Sequence, residues 1–330
     1  MPRIGRKLNL GFATESVRNT AETTANVWLP KMDMSIQLQN EMFEDTSGVG
    51  RREGLVGHEI VNQRLAGSLS GVMDADYLGY HLKHVFGTVA TAQEGTTGAY
   101  THEFTVNQLA QIPTFTLFYD RGAEGQFKAR GCAFQSFELQ FSTEDAQYSG
   151  EIIGLEEMAD SGQTSAYAKP VNYLLGKNAK LYTAATVADT DVVEDRTEAI
   201  IRNASITYNT NADFDLALGN VNPHDIHSKQ FLVELSITAV VRGNQQYLDF
   251  KNNIKRAYKL DAIGTNLADI GTSALKPRLE QYLANGYGEV TYAQANDEVI
   301  TFDMLVRSEL SIAEALMCKV RLTNGIESLN

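Results

Sequence analysis

Two cysteines, Cys132 and Cys318, are too few for a disulfide scaffold in a chain of 330 residues. They suit synthesis in a reducing cytoplasm. No apolar run reaches the ~18–20 residues of a membrane helix. The charged opening Met1-Pro2-Arg3-Ile4-Gly5-Arg6-Lys7 has no apolar stretch behind it, so no signal peptide is expected. Positive charge is scarce: 28 Lys and Arg face 41 Asp and Glu, for a net charge of −13. A protein that grips nucleic acid needs clustered cations to displace counterions. Neither half has them, since residues 1–165 hold 12 cations and 21 anions and residues 166–330 hold 16 and 20.

Reactive motifs are missing too. Gly67-Ser68-Leu69-Ser70-Gly71 has leucine where a nucleophile elbow needs serine, and no glycine-lysine phosphate loop or dinucleotide fingerprint occurs. Asn209-Thr210-Asn211-Ala212-Asp213-Phe214-Asp215 alternates oxygens like a calcium loop. It has Phe214 in place of the sharp-turn glycine and Asn220 in place of the twelfth-position glutamate, so it reads as a strand edge or turn. His81 and His84 share a helix face and His224 and His227 share a loop, each pair without a third ligand. Surface or interface positions are expected for both pairs, small core positions for the cysteines, and no metal, cofactor or enzymatic activity.

What the sequence does have is alternation. At 43% hydrophobic and 21% charged it suits a globular protein, of about two domains at ~150 residues each. Over residues 32–42, Met32, Met34, Ile36, Leu38 and Met42 share one face. Asp33, Ser35, Gln37, Gln39 and Glu41 share the other, as in a half-buried antiparallel strand. A polar loop follows at 44–58, containing Asp45, Arg51, Arg52 and Glu53. Alternation resumes from Val61 to Met73, with Asn62, Arg64, Ser68 and Ser70 on the polar side. Arg64 is the exception there, expected to pair with a carboxylate. Asp74 is placed to cap a short helix with the stripe Leu78, Leu82 and Val85, ending near Gly87. Strands are expected at about 101–106, 114–119, 126–141 and 147–155, with Glu138 and Gln140 facing away from the core. Periodicity is lost over 160–178, which reads as a linker.

The second half repeats this grammar. Asn203, Ser205 and Thr207 alternate with core residues. After a polar loop at 219–225, so do Glu234, Ser236 and Thr238. Asn244 precedes a helical stripe of Tyr247, Phe250, Ile254 and Ala257, and strands follow near 287–293, 299–309 and 315–323, with Asp303 on the polar side. Asp74–Leu78 lines up with Asn244–Leu248, and Phe137–Glu144 with Phe302–Glu309. The order of elements predicts a mainly β chain of two tandem β-sandwich domains, at 1–160 and 179–330, each with one flanking α-helix, joined by a linker at 161–178.

Several segments together resemble the tail tube proteins of tailed bacteriophages. They are Gly5–Glu15, Trp28-Leu29-Pro30 leading into the 32–42 strand, Gly67–Met73, the helix ending at Phe86-Gly87, Tyr100–Phe104 before Pro113–Leu117, and Arg130–Phe134 with the 137–155 hairpin. The resemblance covers about residues 5–160; the second half shares it more weakly. It implies a structural major tail tube protein, suited to a long non-contractile tail, made in the host bacterial cytoplasm and placed in the virion. Tube domains join into a closed inner β-barrel, six to a ring, and rings stack. Two domains per chain would make a pseudo-hexameric ring from three chains, with a hexamer of chains, each having one domain outside, as the alternative.

On that implication the partners are further copies of the chain, a tape measure protein, a tail terminator and a distal tail protein, with double-stranded DNA in passage and no membrane. Asp33, Ser35, Gln37, Gln39, Glu41, Asn62, Ser68, Ser70, Glu138, Gln140, Asn203, Ser205, Thr207, Glu234, Ser236, Thr238 and Asp303 would face the lumen, and the loop holding Asp45, Arg51, Arg52 and Glu53 would stack rings. A receptor- or carbohydrate-binding sandwich is the competing function, with exposed aromatics on one loop rim.

Overall fold

The computed structural model describes residues 9–329 apart from 31–32, 48–53, 55–56, 109–110, 161, 168–171, 195, 241–244, 265–269, 271–274 and 294–299. The first half runs β1 (Leu10–Thr14), β2 (Val27–Trp28), β3 (Asp33–Asp45), β4 (Gly57–Val72), α1 (Ala75–Phe86), β5 (Gly87–Gln93), β6 (Tyr100–Val106), β7 (Phe115–Asp120), β8 (Gln126–Phe141), β9 (Ala146–Gly154) and β10 (Glu156–Asp160). The second runs β11 (Leu174–Ala184), β12 (Thr197–Ala199), β13 (Ile201–Asn209), β14 (Asp213–Asp215), β15 (Asp225–His227), β16 (Leu232–Val240), α2 (Gln245–Lys251), β17 (Arg256–Gly264), β18 (Arg278–Ala293), β19 (Thr301–Arg307) and β20 (Cys318–Asn324).

The result is a mainly β sandwich. Its inner sheet has the strand order β3·β4·β9·β8·β13·β16·β19·β18, antiparallel throughout. The outer layer has two parts, β2·β1·β7·β8·β10 and β12·β11·β17·β18·β20·β6·β5. β8 and β18 are long enough to serve both layers. Each bends at a bulge, where Phe115↔Cys132 follows Leu117↔Ala129 and Arg256↔Gly286 follows Tyr258↔Leu283. Gly286 is needed at its bend, since a Cβ there would lie 2.7 Å from Val306 Cγ1 and 2.8 Å from the Tyr258 ring.

The pairing order repeats between the halves. β3·β4·β9·β8 is matched by β13·β16·β19·β18, and β1·β7·β8·β10 by β11·β17·β18·β20. This sets β8 beside β18 as counterpart. The sequence comparison of Phe137–Glu144 with Phe302–Glu309 had set β8 against β19, the second strand of the hairpin instead of the first. Among the described residues two features lie outside the repeat: the β5–β6 hairpin in the first half, and the β14–β15 ribbon of the second, which stands between β13 and β16 where the first half has the β3–β4 connection.

One apolar core runs through both halves, holding Leu65, Leu69, Phe134, Phe137, Leu139, Ile206, Tyr208, Leu235, Ile237 and Val306 from the inner sheet and Leu117, Leu260, Leu279 and Leu322 from the outer layer. α1 closes one end of the core. Asp74 caps it by accepting from Asp76 N at 2.9 Å, and Gly87 ends it at φ 80°. Leu78, Leu82 and Val85 are buried, as the stripe requires, and so are Cys132 and Cys318.

Four expectations need correction. His81 and His84 are not surface residues; both are fully buried against Phe12 and the neighbouring aromatic rings. Their i, i+3 spacing puts them on the same face as the leucines, and burial drops both imidazoles to about 3. The second helical stripe stops at Lys251, and Ala257 lies in β17 instead. The stretch read as linker gives way at Leu174 to β11, the counterpart of β1. Finally, Arg64 stacks 5.8 Å above the Phe214 ring in place of a carboxylate.

Candidate functional site

The inner sheet has one face on the core and one face open. Strand alternation and register decide which residues occupy the open face. Ser35, Gln37 and Gln39 on β3 stand opposite Ser68, Ala66 and Arg64 on β4, with Asp33 opposite Ser70 and Glu41 opposite Asn62. The row crosses β9 through Ser149 and Glu151 to Glu138 and Ser136 on β8, then to Thr207 and Asn209 on β13, with Gln140 opposite Ser205. It continues through Glu234, Ser236 and Thr238 on β16, with Asn203 opposite Thr238, to Arg307, Leu305 and Asp303 on β19, ending at Tyr287, Glu289 and Thr291 on β18. All the residues assigned to a polar face from sequence, from Asp33 to Asp303, therefore share one face of one sheet. Asn62 is the most enclosed of them at 8% exposure, with its amide 3.5 Å from Glu41 Oε2.

Carboxylates dominate this face. Asp33, Glu41, Glu138, Glu151, Glu234, Glu289 and Asp303 are set against Arg64 and Arg307. Arg307 is already engaged, with Nε donating to Glu234 at 2.8 Å and Nη1 to Glu289 at 3.4 Å. Thr238 donates to Asp303 at 2.7 Å. The face is thus built of hydroxyls, amides and acids, with Arg307 paired to two of the acids.

Both ends of the sheet are open. Among the described residues β3 pairs with β4 alone, and residues 287–293 of β18 pair with β19 alone. Each edge strand keeps an apolar inward side that packs against the core: Met34 and Ile36 on β3, Val290 and Tyr292 on β18. Unpaired edges of this length are pairing sites for another chain.

A third feature projects from the sheet. β4 pairs with β9 only from Leu65 to Val72, so residues 57–61 with the end of β3 form a projecting hairpin arm, held at its base where Gln63 N donates to Val221 O at 2.8 Å. Met42, Phe43, Ile60 and Val61 are exposed on it, Phe43 by 57%. An exposed apolar group of this kind marks an interaction surface. Asp45 ends the arm and accepts from Ser47 N at 2.9 Å; Arg51, Arg52 and Glu53 lie outside the described residues.

The counterpart segment in the second half is tied down instead. Ile226 of β15 is buried with Ile112, Ala133, Ile153 and Ala212, and Asp225 accepts from Arg18 Nη2 and Asn19 Nδ2, both at 2.8 Å. Burial pushes the Asp225 carboxyl up, but these bonds outweigh it and hold it below the usual carboxylate range. The apolar tip residue Leu218 stays fully exposed.

Among the described residues no three metal-ligating side chains come together, and no helix is long and apolar enough to cross a membrane. A charged cluster, where buried Lys259 meets Asp191 and Glu280 beside Tyr282, lies in the outer layer, away from the polar face. Sequence reasoning found the polar face through its alternation. The same alternation puts Ser149 and Glu151 of β9 and Glu289 and Thr291 of β18 on this face, beyond the set assigned from sequence.

The sequence model of the phage tail tube protein family matches residues 5–300. The chain belongs to that family and is a structural component of a phage tail tube. Comparison with curated proteins gives no match.

Proposed function

We propose that three copies of this chain close their inner sheets into one barrel, that the polar face lines its bore, and that such rings stack into the tube through which DNA leaves the virion. One observation carries the reading: both halves contribute four strands to a single sheet with a polar face and two open edges. Three such sheets give about 24 strands. At ~4.8 Å per strand the circumference is ~115 Å, a bore of roughly 37 Å between backbones before tilt widens it. Six copies would double that and leave room for several duplexes abreast. The continuity of the sheet across both halves also supports two tube domains per chain, at 1–160 and, with β11 starting at Leu174, from there to 330, over a second domain held outside the ring.

DNA carries one charge per ~1.7 Å of axis, so a cationic bore would hold it, whereas an acidic and amide-rich bore lets it slide. Screening beyond ~8 Å keeps the wall from opposing entry. The β3–β4 arm, with its exposed apolar residues and the 46–54 tip, stacks each ring on the next. A long non-contractile tail suits a chain of this size. Such a tube, assembled in the host cytoplasm, would enclose a tape measure protein and meet a terminator and a distal tail protein at its ends.

Electron microscopy of the concentrated protein tests this. Hollow tubes with three-fold rings are expected. Deleting residues 46–54 should leave the circular dichroism unchanged and abolish stacking. Discrete particles that never polymerise, even beside a tail-initiation complex, would overturn the reading.

A further inference from the structure

If three chains close a barrel, each barrel holds two kinds of junction: β8 with β13 inside a chain, and β18 with β3 between chains. The first exists within the folded chain, and the second forms only on assembly. We propose that the second copies the register of the first, pairing β18 of one copy antiparallel to β3 of the next with Thr291 opposite Gln37. This inference rests on the ring reading above and deepens it.

The transfer needs a fixed point in each half, and the bulges supply it. In both, the outer partner advances by two residues while the long strand advances by three, so Gly286 takes the place of Cys132. The next residues, Tyr287 and Ala133, open the inner-sheet portions opposite Arg307 and Ile153. Those partners in turn face Glu234 and Ala66, and these face Thr207 and Gln37. Gln37 therefore stands where Thr207 stands. β8 carries one extra residue between Phe134 and Ser136 that β18 lacks, so the count runs along the partner strands: four residues back along β19 and β9, Asp303 and Ser149 face Thr291 and Glu138, and Thr291 stands where Glu138 stands. Within the chain Thr207 is opposite Glu138.

Two features not used in that derivation agree with it. The correspondence sets Ser35 on Ser205 and Ser68 on Ser236, serine for serine. It also continues the inward side of the seam in kind. Leu139 faces Ile206 within the chain, and Tyr292 would face Ile36 and Val290 would face Leu38 between chains. Sliding the strands until Thr291 faces Glu41 would set Tyr292 against the exposed Asn40 and lose that match.

Paired cysteines read the register directly. Residues directly opposite have Cβ atoms within disulfide reach, and those a slide away do not. Gln37 and Thr291 sit on opposite edges of one chain's sheet, seven strand spacings or ~34 Å apart, so any link joins two copies. Cys132 and Cys318 are buried and do not interfere. Assembled protein carrying Gln37→Cys with Thr291→Cys should, on mild oxidation, give a covalent ladder ending at three chains. Gln39→Cys or Glu41→Cys with Thr291→Cys should link at least ten-fold more slowly. Mixing the single variants with unsubstituted chain repeats the measurement at low substitution if a double variant assembles poorly. Tubes in which the Glu41 pair links fastest, or no pair links, overturn the register and leave the tube standing. An unsubstituted protein that forms neither rings nor tubes overturns both.

Discussion

Tyr208 on β13 donates its hydroxyl proton to Gln281 Oε1 on β18 at 2.8 Å, bridging the inner sheet and the outer layer through the core of the second half. Both side chains are buried, and Gln281 Nε2 has no partner among the described residues. Tyr208→Phe should therefore leave a second orphaned polar atom on Gln281 and destabilise the fold by about 1–3 kcal/mol. Adding Gln281→Leu should recover much of the loss. Urea midpoints of the two variants decide it; equal stability of the single variant and the parent would show that the bridge contributes nothing.

Gly67 on β4 lies against the backbone of β3. A Cβ there would sit 1.9 Å from the Ser35 carbonyl oxygen and 2.6 Å from Ile36 Cα, atoms that no rotamer change can move. Gly67→Ala is expected to force the two strands apart at a destabilisation of about 1–3 kcal/mol. On the proposed assembly it should also slow polymerisation, because β3 is an edge. Thermal melting together with light scattering reads both effects; a variant that melts and polymerises as the parent does would refute the close approach.

Lysines on the polar face should turn a slippery wall into an adhesive one. Gln37→Lys, Ser68→Lys and Ser236→Lys each replace a small or neutral group on the open face. Tubes of the triple variant should retain DNA at low salt and release it as salt rises, with a steeper logarithmic dependence than the parent, at a slope of about 0.9 per phosphate neutralised. DNA retention that is the same in both, across salt, would mean that this face does not meet the duplex.

Acid should expose the burial of His81. Its ring nitrogens have no hydrogen-bond partner among the described residues, and the imidazole stays neutral in the fold down to about 3. An unfolded chain takes up that proton near the ordinary value of ~6.5, so below it the unfolded state binds more protons and stability falls with pH. His81→Leu removes one such group from the aromatic cage of Phe12, Phe134 and Tyr148. The variant's advantage should grow by about 1.4 kcal/mol per pH unit between roughly 6.5 and 3. Chemical denaturation at pH 7.5 and 5 measures it, and parallel losses in both proteins would contradict it.

Strands with one wet side were legible in the sequence. Asp33–Glu41 and Leu232–Val240 alternate because one face meets the core and the other does not. β17 was hidden for the opposite reason. Ala257 to Asp261 are buried without alternation, Lys259 and Asp261 among them through ion pairs, so no period of two survives. Ile254 and Ala257 also continue a helical spacing by coincidence. β18 was read only from Tyr287 onward because its bulge at Gly286 changes which side faces inward. The histidine pair misled because a polar residue type was assumed to seek water, whereas its spacing already placed it among the core leucines. Opposition across strands, on which the seam depends, is a property of long-range pairing and has no local signature.

The β8·β13 contact alters the thermodynamics of building a ring from this chain. Each free body that joins an assembly surrenders translational and rotational freedom worth some 4–15 kcal/mol. A barrel drawn from six separate units would incur that loss five times, and one drawn from three chains twice. In the proposed three-chain ring every second junction would form during folding, under the high effective concentration that a tether provides. Fewer encounters then complete a ring, and a half-built one presents fewer loose borders to stray neighbours.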